Sequence, residues 1–379
     1  MKMRDFGKLG IKVSAFGLGC MRFPMTKNEK GESVVDEKTA TQIIRTAIDG
    51  GVNYVDTAYV YSGGLNETYV GRALTDGYRD KVYLATKLPT WKCAVKDDMY
   101  ACFEEQCTRL GTDHIDFYLV HSLGADSWEK MKALGVREFL DDLKAKGRIR
   151  FACFSFHDNY EAFAKILGDY NWDMCQIQFN YMDVENQAGL AGLKLAGEKG
   201  VPVVIMEGLL GGKLARVPDE VAELFERAVP GRSPAEWAFR WLCSFSEVAT
   251  VLSGVTDLEQ TKDNLRIFDE VTPGGMTDME HEVIAKAREL YKKRIQVNCT
   301  GCAYCMPCPM GVEIPKIFSM WNSAYMYGTG DGRYAQLEKE GKGADACVAC
   351  QKCMQICPQH LFIPELLGKA RDYLVNNTK

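Results

Sequence analysis

The chain has 379 residues, 46% of them hydrophobic and 26% charged, which is an ordinary composition for a globular protein. Its formal net charge of −5 gives no basic surface of the kind that nucleic-acid-binding proteins use. No apolar run approaches the roughly 18 residues of a membrane span, and the N-terminus has no signal-peptide pattern. We therefore expect a cytoplasmic protein that binds neither nucleic acid nor membrane.

Short apolar strands alternate with amphipathic helical stretches from the start of the chain to about residue 270. This alternation predicts β/α units around a parallel sheet. Eight such units in this length fit a (β/α)8 TIM barrel, an α/β fold. The predicted strands are 15–19, 54–56, 82–87, 115–121, 149–156, 174–179, 203–206 and 250–252.

Three successive predicted strands each end in a different titratable residue. Asp56 ends the second strand, Lys87 the third and His121 the fourth. The C-terminal ends of the strands carry the active sites of TIM barrels. A single charged residue there could simply cap the next helix, but three of them favour a catalytic site.

Several stretches resemble the aldo/keto reductase family, over about residues 4–272. The resemblance is carried by residues 9–14, 51–61, Asn66-Glu67, 85–87, 119–121, 176–180, Gly254 and Asn264. It implies a carbonyl or alcohol substrate and a catalytic set of Asp56, Tyr61, Lys87 and His121. Tyr61 matches the proton donor of the family, whereas Tyr59, a second phenol in the same loop, is offset from that position.

The roles in this set follow from the resemblance and from general acid chemistry. A free phenol has a pKa near ~10, and the Lys87 ammonium is expected to lower the pKa of Tyr61. Asp56 would hold Lys87 charged and in place. His121 would donate a hydrogen bond to the substrate oxygen. Phe23, Tyr59, Trp91 and Tyr181 follow strand ends and are candidates for an apolar pocket wall.

The resemblance also implies a nicotinamide nucleotide, NAD(P)H, with departures from the family pattern. Ser155 and Gln178 match the positions that bind the nicotinamide amide, and Met206 stands where the family has a stacking tyrosine and is a candidate to pack on the ring. Phe156 and Glu207 also replace the usual residues. No lysine or arginine stands where the family often binds the 2′-phosphate, so the sequence supports neither NAD nor NADP over the other. The other candidate nucleotide contacts are Gly208, Leu209, Gly211, Lys213, Ser253, Gly254, Gln260 and Asn264.

A breaker cluster at residues 272–275 marks a predicted domain boundary. We expect a barrel domain over residues 1–272, a linker helix over 273–294 and a small α+β or helical cluster domain over 295–379. A closing helix is predicted over residues 359–374.

The last region contains eight of the fifteen cysteines, in two runs. The second run has the spacing C-x2-C-x2-C-x3-C-P, the bacterial pattern for [4Fe–4S] ligation, in which the fourth cysteine binds the other cluster. The first run has one residue fewer before its last cysteine. A disulfide framework or a zinc site fits this spacing less well. The eight cysteines are Cys299, Cys302, Cys305, Cys308, Cys347, Cys350, Cys353 and Cys357.

These runs resemble a two-cluster bacterial-type ferredoxin domain with an insertion over residues 311–346. The most economical pairing places Cys299, Cys302, Cys305 and Cys357 on one cluster, and Cys308, Cys347, Cys350 and Cys353 on the other. Such a domain occurs on one branch of the aldo/keto reductase family, so the whole chain resembles a ferredoxin-linked aldo/keto reductase.

Three functional hypotheses follow. The first is an oxidoreductase whose two [4Fe–4S] clusters pass electrons between the barrel mouth and an external carrier such as a ferredoxin or flavodoxin. The second is an ordinary NAD(P)H reductase whose clusters are only structural. The third is an electron-transfer or regulatory protein on a catalytically altered barrel, which the departures at Phe156, Met206, Glu207 and Gln260 motivate. No flavin motif is visible, although a barrel mouth could hold a flavin.

Overall fold

The fold is that of a computed structural model, which describes residues 1–328 and 332–377. The chain forms two compact units. The first unit consists of Met1–Gly211 and Ala238–Thr277, and the second consists of Gly212–Trp237 and the chain from Asp278 onward.

The first unit is a closed barrel of eight parallel strands, which confirms the predicted fold class. In chain order, the strands of the protein are β1 (Met3–Asp5), β2 (Lys12–Ser14), β3 (Phe16–Gly19), β4 (Met25–Lys27), β5 (Ser33–Val35), β6 (Tyr54–Asp56), β7 (Tyr83–Leu88), β8 (Ile115–Leu123), β9 (Ile149–Phe156), β10 (Met174–Gln178), β11 (Val203–Met206) and β12 (Val248–Ser253). The barrel runs from β3 through β6 to β12, and β12 pairs with β3 to close it.

Register brings the polar strand ends together. Asp56 on β6 lies opposite Ala85 on β7, and Lys87 on β7 lies opposite Leu119 on β8. Because these strands are parallel, their C-terminal ends meet at one mouth of the barrel. His121, two residues after Leu119, lies at the same end.

An N-terminal hairpin contributes to the core at the opposite end of the barrel. Strands β1 and β2 pair antiparallel, and Phe6 in the turn between them is fully buried. The ring of Phe6 lies 5.1 Å from that of Phe117 and 6.3 Å from that of Tyr54, and the rings of Tyr54 and Phe117 are 5.2 Å apart. This hairpin, like the short pair β4 and β5, is absent from the sequence prediction, since three-residue strands carry little periodicity.

The helices cover the barrel and build the second unit. They are α1 (Glu37–Asp49), α2 (Asn66–Ala73), α3 (Lys96–Leu110), α4 (Ala125–Ala133), α5 (Val136–Ala145), α6 (Tyr160–Asp169), α7 (Gly189–Glu198), α8 (Asp219–Ala228), α9 (Pro234–Cys243), α10 (Leu258–Glu270), α11 (Asp278–Lys293), α12 (Ile314–Tyr327), α13 (Arg333–Lys339), α14 (Lys352–Gln355) and α15 (Ile363–Asn376). Asp36 caps α1 by accepting from the Thr39 amide at 3.1 Å, and Ile43 and Ile44 are buried as its periodicity predicts.

The second unit packs around its own apolar core. Helices α12 and α15 contribute Phe318, Trp321 and Leu367 to this core, and six of the eight cysteines of the two runs pack against it. The predicted insertion at 311–346 contains helices α12 and α13. The predicted closing helix is α15.

The compact units and the predicted domains divide the chain differently in two places. Residues Gly212–Trp237, expected in the barrel domain, belong to the second unit. The predicted linker helix is α11, which also belongs to the second unit.

Replacing Gly71 by alanine should destabilise the barrel. A Cβ at Gly71 on α2 would lie 2.7 Å from the carbonyl oxygen of Leu110 and 2.8 Å from that of Arg109, both on α3. Backbone atoms cannot move aside cheaply, so we expect a loss of about 1–3 kcal/mol in the free energy of unfolding. Urea unfolding followed by far-ultraviolet circular dichroism measures it.

Gly168→Ala is the matched control, because a Cβ at this helical glycine of α6 would meet nothing within 4 Å. It should leave the stability unchanged or raise it by about 0.4–1 kcal/mol. Equal effects of the two substitutions would contradict the close packing of α2 on α3.

Candidate functional site

The structure brings the four predicted catalytic residues together at the mouth of the barrel. The Lys87 ammonium lies 2.6 Å from Asp56 Oδ1, 2.8 Å from the Thr57 carbonyl oxygen and 3.4 Å from the Tyr61 hydroxyl. Tyr61 begins a short 3-10 turn five residues after Asp56. Its ring lies edge-on to that of His121, at 6.5 Å between centroids.

The ion pair between Asp56 and Lys87 is almost completely buried. Burial raises the pKa of the Asp56 carboxyl, and the Lys87 ammonium opposes this rise. Burial would lower the pKa of Lys87, but the opposite charge of Asp56 and the Tyr61 hydroxyl outweigh it, so the pKa of Lys87 is raised. We infer that the pair is charged at neutral pH, since each ion has the other at 2.6 Å.

The pKa of Tyr61 differs in direction from the sequence-based expectation. Burial raises it above its ordinary value, and the nearby Lys87 ammonium only partly offsets this effect. The attraction between the Lys87 ammonium and a Tyr61 phenolate therefore lowers the pKa of Tyr61, as predicted, but burial has the larger effect. Tyr61 keeps its proton at neutral pH and is available as a proton donor.

His121 is a neutral imidazole in this environment. Burial first, and then the charge of Lys87, lowers its pKa to about 3. Its buried Nδ1 has no hydrogen-bond partner among residues 1–328 and 332–377. A neutral ring carries one N–H, so we assign the proton to Nε2, where a substrate oxygen could accept it.

The aromatic residues proposed for the pocket wall are not equivalent. Phe23 and Tyr181 are buried, and the hydroxyl of Tyr59 is bonded to Glu105 at 2.8 Å and to Lys92. Trp91 is 51% exposed, and its ring lies 5.2 Å from that of His121. Trp91 is therefore the aromatic side chain best placed to meet a substrate, and Tyr59 has other partners than the catalytic set.

The first turn of α2 braces both halves of the catalytic set. The Asn66 side chain accepts from Thr57 Oγ1 at 2.7 Å and donates to Ser62 Oγ at 3.1 Å, so it holds the neighbours of Asp56 and Tyr61. The buried carboxyl of Glu67 accepts from Thr86 Oγ1 at 2.6 Å, next to Lys87.

Gln106 completes this brace from α3. Its Nε2 donates to Glu67 at 2.7 Å and to the Lys87 carbonyl oxygen at 3.0 Å. In the sequence, Asn66 and Glu67 stand out only as part of the family resemblance. The bonds from their side chains to neighbours of the catalytic residues could not be read from the sequence.

Two glutamines on β10 point into the barrel at successive levels. Gln178 donates to Asp183 at 3.2 Å and accepts from Gln187 at 3.3 Å. Gln176, one level deeper, donates to Asp56 at 3.4 Å, and its buried Oε1 has no partner within the described part of the chain. Gln176 thus joins the candidate site and was missed by the sequence analysis, although the two-residue period of a strand places it on the face of Gln178.

The other candidates for the nicotinamide end lie beside these glutamines. Ser155 Oγ accepts from the Ser122 amide at 2.8 Å, and Ser155 pairs in register with Gln176. Met206 ends β11 opposite Gln178. Phe156 is fully buried in the core.

The loop after β11 brings the carboxylate of Glu207 close to the guanidinium of Arg22. Glu207 adopts a left-handed conformation with φ of 56°. Arg22, in the loop after β3, donates to the Gly211 carbonyl oxygen at 3.1 Å. A Cβ at Gly211 would lie 3.2 Å from the Arg22 guanidinium and 3.7 Å from the Glu207 carboxylate, so these groups share the space over this glycine.

Arg22 is a cation that the sequence analysis missed, because a lone arginine in a loop carries no motif. A Cβ at Gly254, after β12, would lie 3.6 Å from the Arg22 side chain. Arg22 therefore reaches the loops that follow the seventh and eighth barrel strands, where TIM barrels commonly bind phosphate.

The remaining nucleotide candidates fall in three environments. Ser253 and Asn264 are buried and joined by a hydrogen bond of 3.0 Å. Gln260 is exposed and bonded to Asp257, the cap of α10, at 2.7 Å. Gly208 is buried and Leu209 half-buried, whereas Lys213 belongs to the second unit, where it lies 2.6 Å from Ser323 Oγ.

Two cavities in the second unit are lined by the cysteines of the two runs. We define the first cluster site as Cys299, Cys302, Cys305 and Cys357, which line the smaller cavity. The second cluster site is Cys308, Cys347, Cys350 and Cys353, which line a cavity of about 200 Å³ that Cys305 also reaches. These two sets are the same as the predicted pairing.

The donor set fits [4Fe–4S] clusters. Each cluster site offers four cysteines, the ligand set that such a cluster needs, with Cys305 reaching both cavities. All fifteen cysteines are free thiols. Within residues 1–328 and 332–377, no three His, Cys, Asp or Glu side chains converge closely enough to hold a single metal ion. Over the same residues, no helix has the length and hydropathy needed to span a membrane.

Comparison with known proteins identifies both parts of the chain. A model of the aldo/keto reductase family matches residues 15–287, and a model of the 4Fe-4S dicluster domain matches residues 298–362. The chain is similar to the holo form of the aldo-keto reductase AKR11C1 from Bacillus halodurans. That comparison has a TM-score of 0.63 and 28% identity, and it covers 76% of this chain and 96% of that one.

Two curated relatives show the same likeness in sequence. The uncharacterized oxidoreductase YqkF of Bacillus subtilis (strain 168) is 27% identical over 301 residues, which cover 70% of this chain and 90% of YqkF. The methylglyoxal reductase YeaE of Escherichia coli (strain K12) is 37% identical over 120 residues, or 32% of this chain and 40% of YeaE. The match to YeaE thus spans less than half of that protein.

The aldo/keto reductase model matches well over half of the chain and ends close to the point where the dicluster domain begins. The barrel within that match closes with Asp56, Tyr61, Lys87 and His121 around one mouth. The chain therefore belongs to the aldo/keto reductase family of oxidoreductases, and it carries a 4Fe-4S dicluster domain after the barrel.

Proposed function

We propose that the barrel interconverts a carbonyl and an alcohol with a nicotinamide nucleotide, and that two [4Fe–4S] clusters exchange the electrons with an external carrier such as a ferredoxin or flavodoxin. The single observation that carries the catalytic part is the Lys87 ammonium, buried between Asp56 at 2.6 Å and Tyr61 at 3.4 Å. In this proposal residues 1–272 are the catalytic domain, 273–294 a connecting helix and 295–379 the cluster domain.

The residues of the mouth have distinct tasks in carbonyl reduction. His121 donates a hydrogen bond from Nε2 to the carbonyl oxygen and orients it. Tyr61 gives its phenolic proton to that oxygen as negative charge develops there. Lys87 stabilises the phenolate that remains, and Asp56 keeps Lys87 charged and in place. Trp91 covers the apolar part of the substrate.

A bound nicotinamide would supply the hydride, which carries two electrons. Gln176 and Ser155 would bind its amide, and Arg22 would neutralise the phosphates beside Gly211 and Gly254. Since Gly254 and Gln260 carry no charge, the proposal leaves NAD and NADP open. Two clusters hold one electron each, so a fully reduced pair carries the two electrons of one hydride, and the proton of that hydride would be released to solvent.

An anaerobic titration tests this proposal. NADH and NADPH are added separately to protein with intact clusters, and the visible cluster band is followed for bleaching. Bleaching by one nucleotide supports coupling between barrel and clusters. Turnover without bleaching would favour structural clusters. The absence of both bleaching and turnover would favour a catalytically altered barrel. Methylglyoxal is a reasonable first substrate, because the relative YeaE is a methylglyoxal reductase.

Tyr61→Phe should abolish carbonyl reduction, at least a hundredfold in kcat, because the proton donor is lost. The visible absorbance of the clusters should remain. Tyr59→Phe is the matched control, since the Tyr59 hydroxyl bonds Glu105 and Lys92 instead. Retained activity in Tyr61→Phe, measured by nucleotide oxidation, would contradict the role of Tyr61.

The pH profile of kcat/KM for reduction should have no inflection from the catalytic set between about pH 5 and 8. His121 loses its charge as the pH rises past about 3, so it is neutral throughout this range. Tyr61 must be protonated to act, and its raised pKa keeps it so until alkaline pH. An inflection in this range that disappears in His121→Asn would show that His121 titrates there.

Arg22→Gln should weaken nucleotide binding about tenfold, the equivalent of roughly 1.4 kcal/mol, because a charge-assisted contact to phosphate is lost. Isothermal titration calorimetry with the preferred nucleotide measures the Kd. Arg137→Gln, an exposed arginine on α5, controls for the change in net charge. Equal Kd values for the Arg22 variant and the wild type would exclude Arg22 from the nucleotide site.

A further inference from the structure

The loops that would hold the two clusters have matching backbones. Residues 299–305 and 347–353 share the spacing C-x2-C-x2-C. Gly301 and Ala349, at matching positions, both have positive φ, of 70° and 52°. Ala303 and Gln351, also matching, have φ of 59° and 63°. The two loops therefore turn at the same points and differ mainly in their side chains.

The ligands of the two sites are also exposed to solvent in the same pattern. Cys302 is the exposed cysteine of the first cluster site, and Cys350 is the exposed cysteine of the second. The other three cysteines of each site are half-buried. Exposure of the cysteines, one contribution to the reduction potential of a bound cluster, therefore does not distinguish the two sites.

Charge distinguishes the two sites. Lys352 lines the cavity of the second cluster site and directly precedes the ligand Cys353. The matching residue of the first loop is Tyr304. Among the described residues, Lys352 is the one charged side chain that lines the second cavity, and none lines the first.

We propose that Lys352 sets the order in which the clusters accept electrons, so that the second cluster site is reduced first. This inference rests on the proposed function, because it takes both cysteine sets to hold [4Fe–4S] clusters. Each cluster gains one electron and one negative charge on reduction, from the nicotinamide or the external carrier. The Lys352 ammonium stabilises that added charge at the second cluster site and raises its reduction potential.

In this order, the first electron resides at the second cluster site. Cys305, a ligand of the first cluster site, also lines the second cavity, and Tyr304 lines both. The two sites thus share part of their walls, and an electron could pass between them there. An electron that enters at either site comes to rest beside Lys352.

The test is an anaerobic redox titration of the full chain, followed by electron paramagnetic resonance. The wild type should show two separate reduction steps. In Lys352→Gln the step at higher potential should move to lower potential while the other stays in place, and Lys352→Arg should preserve both. Thr300→Lys, which adds a cation to the first cavity alone, should raise the step at lower potential.

Lys293→Gln, an exposed lysine at the end of α11, is the matched control and should move neither step. Unchanged potentials in Lys352→Gln, with iron and sulfide for two clusters present, would overturn the inference and leave the proposed function intact. Wild-type protein that assembles no clusters would overturn both. If Lys352→Gln loses a cluster, the Thr300→Lys variant still tests the inference. An unchanged potential for the lower-potential step in Thr300→Lys would contradict control of the cluster potentials by local charge.

Discussion

The buried ion pair between Asp56 and Lys87 is the interaction on which the site in the barrel depends. Removing two charges from water is costly, and such a pair contributes little to stability by itself. Its value lies in placing an ammonium 3.4 Å from the Tyr61 hydroxyl. The surroundings preserve this geometry, since Thr57 accepts a third bond from Lys87 while Asn66, Glu67 and Gln106 hold the neighbouring residues. Chemistry at the mouth is thus coupled to the packing of α2 and α3 outside the barrel.

The part of the mouth proposed to bind the nucleotide is less regular than the part around Lys87. Gln178 is already bonded to Asp183 and Gln187, and Glu207 lies in a left-handed conformation beside Arg22. A strained acidic residue close to a phosphate site would be unfavourable without a nearby cation, and Arg22 supplies one. In the proposed nucleotide site, Met206 and Glu207 would therefore make contacts that differ in part from those of the usual residues.

Sequence reasoning succeeded where a residue's neighbours along the chain determine its environment. Each predicted barrel strand overlaps an observed strand, because apolar runs with polar ends specify buried parallel strands. The resemblance to a family named the four candidate catalytic residues, and the structure brings them together. Sequence reasoning failed for the hairpin of β1 and β2, whose strands are too short to be periodic. It also failed for Arg22, whose neighbours Gly211 and Gly254 are distant in the chain. It also gave the wrong direction for the pKa of Tyr61, since burial outweighs the effect of Lys87.

By itself, the sequence determined the class of each part: a barrel from alternating strands and helices, and a 4Fe-4S dicluster domain from the spacing of cysteines. Both follow from local periodicity, which a linear pattern records. Tertiary structure alone decided which side chains meet. It put Gln176 rather than Gln178 against Asp56, placed Lys213 in the second unit, and left Lys352 as the one charge lining either cluster cavity among the described residues. These outcomes depend on register and on contacts between distant segments, because burial and charge act through space and not along the chain.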